Sequence, residues 1–347
     1  MLLDIIIPQY KETEDIIKTL LDSINNQKDV DFNLINVTIV NDYSDVLLSK
    51  SFLNKYKKLN IKYLINDKNT GPGLARQKGY DNTSNKYVTY IDADDELYDD
   101  LVLSKLIAFI KKFQPDYLVT NIAVEGFIND KKSLIIKKNN ETFPWMHGKV
   151  YKRRFIDDNK IRFSEHVRHV EDIFYTTCVV SSINVNEILY LDLITYKWKN
   201  NQLSLTRIKD EIPYEVRIFS DVFDAPKYIY EFLCKRNSKQ KFSYLIQSIF
   251  AIYILLNSPF FKDYSELKEK YNERLINEYI KPKRNLFIIY KYEDLKNLFN
   301  NELKELSVRH QLDLSNICLD DFINEYLKWN SYFCHYLWFE IQNFVFL

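Results

Sequence analysis

Short apolar runs alternate with helical patterns over about the first 120 residues, and this alternation restricts the fold more than any other feature. The first helical stripe carries Glu14 and Asp15 in its first turn, where the helix dipole favours acidic groups. Strands that are apolar on both faces and alternate with helices indicate a mostly parallel sheet with helices on both faces. We therefore predict an α/β fold. The predicted strands are residues 2–7, 37–40, 61–65, 87–91 and 116–120, and the predicted helices are 14–24, 71–79 and 103–113.

The pattern changes near residue 210. From about residue 211 onward helical patterns dominate, and they are rich in Tyr, Phe, Lys and Asn. We therefore predict an α/β domain over residues 1–210 and an α-helical domain over residues 211–347. The aromatic segment 331–347 is interpreted first as a docking surface for the α/β domain, then as a self-association surface that makes a homo-oligomer. Contact with a membrane surface ranks third, because the segment has no face rich in Lys and Arg.

Polar residues follow three of the predicted strands, at the end of a sheet where ligands bind in such folds. They are Gln9-Tyr10 after the first strand, Asn41-Asp42 after the second and Asp92 to Asp95 after the fourth. Two carboxylates one residue apart, together with substrate phosphates, are a common way to hold Mg²⁺ or Mn²⁺. The alternative is an acidic cap for a helix that begins near Tyr98.

The overall composition narrows the compartment and the partners. Lys plus Arg and Asp plus Glu number 48 each, so there is no bulk attraction to nucleic acid or to an anionic membrane. The four cysteines are far apart, and we expect reduced core thiols. No secretory leader is expected, and the longest apolar stretch, residues 244–256, is too short to span a bilayer. We expect a cytoplasmic protein, with peripheral attachment at the inner face of the membrane as a second option.

Six segments in order over about the first 175 residues resemble the motifs of family 2 glycosyltransferases, which have the Rossmann-like GT-A fold. Three positions differ from the usual residues of these motifs: Lys11 replaces Asn, Asn41 replaces Asp and Tyr43 replaces Gly. The segments are IPQYKE at 7–12, VNDYS at 40–44, NTGPGLARQKG at 69–79, DAD at 92–94, HGKVYKR at 147–153, and IRFSE at 161–165 followed by Glu171-Asp172.

The resemblance implies a nucleotide site at the first three segments. Pro8, Tyr10 and Asp42 would line the uracil and ribose pocket of a UDP-sugar. Glu12 and Arg76 would frame the nucleotide. From the residues alone, Asp42 could instead be a turn-forming aspartate.

The resemblance also implies how the diphosphate is held. Asp94 would bind a divalent metal directly, and Asp92 would contact the ribose or the metal shell. Gly71 and Ala93 belong to the same donor site. Arg207 resembles a residue of a segment that swings over the diphosphate, where a guanidinium fork suits phosphate, although a plain surface arginine fits its sequence context as well.

A second implied group lies around Glu171-Asp172. By resemblance Asp172 is the base that takes the proton from the acceptor hydroxyl, although it could also cap the helix that follows. One base without a second nucleophile favours inversion by a single displacement. Trp145, His147, Lys149 and Glu171 are assigned to the acceptor side, and Trp145 could equally be a core residue.

The histidines do not predict a metal site. His166 and His169 fit one helix face, and no carboxylate completes a site with them or with His147. We therefore expect these histidines at the surface or against the acceptor.

The predicted activity is an inverting glycosyltransferase that moves a sugar from a UDP-sugar to a hydroxyl of a glycan or glycopolymer, with Mn²⁺ or Mg²⁺. A non-catalytic nucleotide or carbohydrate-binding module is one alternative, although it would not need Asp172. A transferase acting on a modified nucleic acid base is another, and the neutral charge argues against it. A sugar nucleotidyltransferase would carry a Gly-rich loop after the first strand, where this chain has no glycine before Gly71.

Overall fold

The computed structural model describes residues 1–128, 131–138, 141, 145–201 and 212–327. The chain divides into two compact units, Met1–Lys209 and Asp210–Leu347. The predicted site residue Arg207 and the aromatic segment 331–347 lie outside the described residues.

The first unit is built on one mixed sheet in the order β3-β2-β1-β4-β8-β6-β9-β5, with β7 paired to β6. The strands β1 to β4 run parallel, as predicted, and β6 and β9 are also parallel. Antiparallel β8 separates β4 from β6, so the predicted fifth strand does not join the first four directly. The strands are β1 Leu3–Gln9, β2 Ile35–Asn41, β3 Asn60–Ile65, β4 Tyr87–Tyr90, β5 Glu96–Leu97, β6 Tyr117–Ile128, β7 Lys131–Lys137, β8 Lys149–Lys152 and β9 Ile188–Trp198.

The helices of this unit bury the faces that their apolar spacing predicts. In α1 the buried residues are Ile17, Leu20, Leu21 and Ile24, all of them from the predicted stripe. Helix α3 begins at Pro72, after Gly71 at φ 87°, a left-handed conformation that favours glycine. The helices are α1 Glu14–Asn25, α2 Lys50–Leu53, α3 Pro72–Asp81, α4 Val102–Phe113, α5 Arg153–Asp158 and α6 Glu171–Val180.

Two capping alternatives are wrong. The helix expected near Tyr98 begins at Val102 instead, and β5 follows Asp95 directly, so Asp95 does not cap it. The residue before α6 is Val170, which places Asp172 inside the first turn rather than at the cap.

The second unit is helical in the part that the structure describes. Its core is a separate apolar cluster centred on α9 and α12. No helix among the described residues combines the length and the apolar character needed to cross a membrane. The helices are α7 Tyr214–Arg217, α8 Phe219–Lys235, α9 Lys241–Leu256, α10 Ser265–Arg274, α11 Lys281–Ile289, α12 Tyr292–His310 and α13 Leu319–Phe322, with π-helical turns at Leu275–Ile280 and Ile323–Leu327.

The cysteine prediction holds only in part. Cys178 is a buried free thiol on α6. Cys234 on α8 and Cys318, the residue before α13, are free but exposed, so they are not core thiols. Cys334 lies outside the described residues.

Candidate active site

The site lies where the carboxyl ends of β1, β2 and β4 meet. Strand β1 pairs in parallel with β2 on one side and with β4 on the other, so the residues that follow these strands share one edge of the sheet. Pro8 is half-buried at the end of β1, and Tyr10, just after it, is 41% exposed. This sheet order assembles the polar residues that the sequence placed at the three strand ends.

Asp42 holds a loop. Its carboxylate accepts the backbone N–H groups of Thr70 and Gly71 at 2.9 Å and 2.6 Å, and the Asn66 side-chain amide at 2.7 Å. The side chain is buried, and its hydrogen bonds to Thr70 and Gly71 tie it to the loop before α3. The loop is thereby set in the conformation in which Gly71 has a positive φ.

Arg76 joins two carboxylates from distant parts of the chain. From α3 its Nη1 donates to Glu171 Oε1 at 2.7 Å, and its Nη2 donates to Asp92 Oδ1 at 2.6 Å. The guanidinium is buried, and burial alone would lower its pKa, but Asp92 and Glu171 outweigh burial and raise it. Arg76 therefore links the end of β4 to the first turn of α6.

The carboxylates after β4 have different environments. Burial acts to raise the pKa of Asp92, but Arg76 and His147 overcome it and hold that pKa well below its usual range. Burial, and next the charge of Asp92, raise the pKa of Asp94. Burial also raises the pKa of Asp95 strongly, with Asp92 and Asp94 adding to the effect. Crowded, buried carboxylates of this kind favour a bound cation.

His147 stands beside this acidic group. Its Nε2 lies 3.3 Å from Asp92 Oδ2, and possible ligand atoms of Asp92, Asp95 and His147 lie within 4.8 Å of one another. The buried Nδ1 of His147 has no hydrogen-bond partner among the described residues. The expectation that no carboxylate accompanies this histidine is therefore wrong, because β8 pairs with β4 and brings positions 55 residues apart together.

The donor set fits a divalent cation such as Mn²⁺, since carboxylate oxygens suit this metal. Both oxygens of Asp95 already accept protein hydrogen bonds, from the Tyr196 hydroxyl and from the Lys199 N–H. Asp94 Oδ2 accepts the side-chain amide of Asn201 at 2.8 Å. Asp94 is also more exposed than Asp95, which is 1% exposed.

Glu171 and Asp172 begin α6 on the other side of Arg76. Burial raises the pKa of Glu171 to about 7 against the opposing effect of Arg76. Burial also raises the pKa of Asp172, whose Oδ1 accepts the Ile173 N–H at 2.7 Å. Carboxylates that are destabilised as anions are better proton acceptors, and the environment of Asp172 is of this kind.

Lys149 is a buried residue of β8. It is only 1% exposed, and its Nζ donates to the carbonyl of Trp145. Burial lowers the pKa of Lys149 to about 7, with the charge of Asp172 opposing this shift. Its contact with the acceptor stays a prediction.

A sequence profile described as "Glycosyl transferase family 2" matches residues 4–170. The match includes Asp42, Arg76 and Asp92 to Asp95 and ends one residue before Glu171. The first unit of the chain is thus similar to glycosyltransferase family 2 over residues 4–170, just under half of the full length.

Relatives of this glycosyltransferase include two named proteins. The Staphylococcus aureus poly(ribitol-phosphate) beta-N-acetylglucosaminyltransferase TarP is 24% identical over 319 residues, which cover 87% of this chain and 88% of the relative. The Bacillus spizizenii poly(ribitol-phosphate) beta-glucosyltransferase is 26% identical over 189 residues, which cover 51% of this chain and 29% of the relative. The chain thus spans most of the first protein's length and less than a third of the second's.

A crystal structure of S. aureus TarS in complex with UDP-GlcNAc is similar to this glycosyltransferase, with a TM-score of 0.61 at 21% identity. The similar region covers 90% of this chain and 93% of that chain. The likeness confirms the predicted GT-A-type α/β fold followed by a helical region.

Aromatic side chains form a wall beside His147, and of these only Trp145 was among the predicted site residues. The ring of Trp198 stacks on His147 with centroids 5.6 Å apart, and Trp145 meets Trp198 edge-on at the same separation. Tyr196, also on β9, lies 4.7 Å from the His147 ring. The alternation of Tyr196 and Trp198 at the end of an apolar run is a signal for a strand with both rings on one face. The sequence does not show which strand this one pairs with, so it does not show that the rings lie beside His147.

Proposed function

We propose that this glycosyltransferase inverts the anomeric centre of a UDP-sugar and transfers the sugar to a hydroxyl of a glycan or glycopolymer. The observation that carries the proposal is the Arg76 bridge between Asp92 and Glu171. Through Glu171 the bridge ties the first turn of α6, which contains Asp172, to the acidic end of β4. In the proposed reaction Asp172 is the base that acts opposite the leaving diphosphate.

The comparisons support a narrower substrate proposal. The similar TarS structure contains UDP-GlcNAc, and both named relatives act on poly(ribitol-phosphate) by their names. We therefore propose UDP-GlcNAc as the first donor to test, UDP-glucose as the second, and a polyol-phosphate polymer as the acceptor.

In the proposed reaction Asp172 takes the proton of the acceptor hydroxyl. The acceptor oxygen forms a bond to the anomeric carbon as the bond from that carbon to the diphosphate oxygen breaks, and UDP leaves. Glu171 stays paired with Arg76 and keeps the first turn of α6 in place. A single displacement of this kind gives the inverted product.

A divalent cation would be held by Asp94 first, with Asp92, Asp95 and His147 as neighbouring donors. When bound, it supplies positive charge that stabilises the diphosphate leaving group. The assignment predicts that Asp94→Asn weakens Mn²⁺ binding by about tenfold or more, and that His147→Gln weakens it less. Paramagnetic titration of Mn²⁺ measures both. If His147→Gln weakens Mn²⁺ binding as much as Asp94→Asn does, His147 is itself a direct ligand. An unchanged Mn²⁺ affinity in Asp94→Asn would remove Asp94 from the site.

The catalytic assignment is tested with Asp172→Asn. We expect turnover of UDP-GlcNAc to fall about 10²–10⁴-fold with UDP affinity retained, because a lost base affects the chemical step. Asp158→Asn, on the exposed face of α5, is the matched control with unchanged rates. Full turnover in Asp172→Asn would exclude it as the base. A wild-type protein that binds UDP-sugars without turnover would instead support a binding module.

A further inference from the structure

A groove lies on the β6–β9 part of the sheet, outside the candidate active site. Its volume is about 320 Å³, which is within the usual range for small-ligand sites. Its polar and aromatic lining residues come from four segments of the first unit: Tyr98, Asp99, Asn121, Lys138 and Asp192. The reaction proposed above uses none of these residues.

An irregularity in β9 creates the groove. In the pairing of β6 with β9, Thr120 faces Leu191 and the next residue, Asn121, faces Ile194. Asp192 and Leu193 are therefore extra residues in β9, and both line the groove. Bulges of this kind redirect side chains and are common beside functional sites. The Asn121 amide donates to Asp192 Oδ1 at 2.7 Å and holds the bulge.

The opposite wall is rigid. The Tyr98 N–H donates to the carbonyl of Thr195 at 3.2 Å. The buried side chain of Gln27 donates to the carbonyl of Asp99 at 2.6 Å and accepts the N–H of Leu103 at 2.8 Å. The segment is thus held through Gln27, two residues after α1, to the start of α4 before any ligand arrives, which lowers the entropy cost of binding.

The lining combines aliphatic side chains, those of Ile136, Leu193 and Ile194, with polar groups, and this mixture suits a sugar or polyol, which has both a carbon skeleton and hydroxyls. Tyr98 is 36% exposed, so its ring offers a flat apolar surface for the carbon skeleton of a sugar or polyol. Asp99, Asp192 and Asn121 supply planar acceptor groups for hydroxyls. The two carboxylates outnumber the single positive charge of Lys138, so the groove suits a hydroxyl-bearing unit of a chain and not the phosphate groups that join such units.

The groove is within reach of the reaction centre. Tyr98 is three positions after Asp95, across β5, and an extended chain rises ~3.3 Å per residue, so their Cα atoms are at most ~10 Å apart. A polymer held near Asp172 and the acidic end of β4 could therefore place a neighbouring unit in the groove. We propose that this groove binds a sugar or polyol unit of the acceptor polymer, away from the unit that reacts; this inference rests on the proposed transfer to a polymer.

The test uses the full chain and the variant Tyr98→Ala. Initial rates are measured with poly(ribitol-phosphate) and with ribitol 5-phosphate as acceptors, and with UDP-GlcNAc as donor. We expect the KM for the polymer to rise about 5–20-fold, as for loss of one aromatic anchor. The KM for ribitol 5-phosphate and for UDP-GlcNAc should stay within about twofold. Asp192→Asn should give a smaller rise with the polymer alone.

Tyr190→Ala is the matched control, since Tyr190 is a 51% exposed tyrosine of β9 that does not line the groove. It should leave all three constants unchanged. An unchanged polymer KM in Tyr98→Ala, or an equal rise with ribitol 5-phosphate, overturns the inference.

Calorimetric binding of the polymer without donor separates this inference from the proposed function. Saturable binding that Tyr98→Ala weakens at least about fivefold, in a protein without turnover, would support the groove and remove the transferase proposal. If the wild-type protein shows turnover and its polymer affinity is unchanged in Tyr98→Ala, the transferase proposal is supported and the groove inference is removed.

Discussion

Glu12 illustrates how one side chain responds to its neighbours in the site. Burial raises its pKa to about 7; the Tyr10 N–H, which donates to its carboxylate at 2.5 Å, opposes the shift, while the charges of Asp94 and Asp92 add to it. The family resemblance predicted that Glu12 frames the nucleotide, and this role stays a prediction. That Glu12 lies close to the carboxylates of Asp92 and Asp94 could be learned only from the fold.

The raised pKa of Glu12 predicts a pH-dependent stability. Between its ordinary value of 4.5 and about 7, the folded state keeps a proton that the unfolded chain has released, so the stability contribution of Glu12 falls as pH rises. Glu12→Gln removes this effect. In metal-free buffer, the free energy of unfolding of Glu12→Gln relative to wild type should increase by ~1–3 kcal/mol from about pH 5 to about pH 8. Urea unfolding at several pH values measures it.

Glu14→Gln is the control of opposite sign. Glu14 Oε1 accepts the Ser49 N–H, and its hydrogen bonds with Ser49 lower the pKa of this exposed carboxylate. The contribution of Glu14 to the free energy of unfolding is therefore present above its ordinary pKa of 4.5 and is lost as pH falls. A pH-independent difference between Glu12→Gln and wild type would contradict the proposed environment of Glu12.

At the scale of elements, α3 and α6 meet closely through Gly73 and Arg76. A Cβ atom added at Gly73 would lie 3.0 Å from the Glu171 side chain, so the glycine permits the approach. Arg76 follows one turn later and closes the contact with a charged hydrogen bond to Glu171, while its second charged hydrogen bond goes to Asp92 after β4. The first turn of α6 is thus positioned by α3 rather than by its own sequence.

This packing predicts that Arg76 acts on the chemical step. A lysine cannot bridge two carboxylates with a planar fork, so Arg76→Lys should let α6 shift. We expect kcat to fall about 10–100-fold while the Kd for UDP changes less than about threefold, because small misplacements of a catalytic group are costly. Steady-state kinetics and UDP calorimetry measure the two effects.

Arg153→Lys is the matched control. Arg153 also pairs with a buried carboxylate, Asp4 at 3.0 Å, but at the opposite end of β1. Both variants should lose stability, and only Arg76→Lys should lose kcat. A loss of UDP affinity as large as the loss of kcat would instead place Arg76 in the nucleotide site, as the family resemblance implied.

At the scale of the whole molecule, two compact units have separate apolar cores. The predicted residues of the donor site that the structure describes all lie in the first unit. The predicted domain roles, including acceptor binding or self-association by the helical unit, stay predictions.

Separate cores predict separable stability. Phe250 is fully buried in the core of the second unit, so Phe250→Ala should cost ~3–5 kcal/mol of stability there. The Kd for UDP should change less than about threefold, and saturating UDP should still raise the melting temperature by mass action. Calorimetry with and without UDP measures both. A large change in Kd would mean that the helical unit shapes the donor site.

The sequence by itself determined the strands β1 to β4, the helices α1, α3 and α4, and the family. Apolar spacing reports local structure, and the motif segments follow the strands directly. It also placed polar residues at the strand ends, since the end of an apolar run marks the end of a strand.

Only the tertiary structure decided which of these residues meet. Arg76 bonds Glu171 across 95 positions, Tyr196 bonds Asp95 across 101, and Asp92 lies beside His147 across 55. These partners depend on the sheet order, in which antiparallel β8 pairs with β4, and on the approach of α6 to α3. Periodicity carries no information on either, because contacts between distant segments are set by packing of the whole unit.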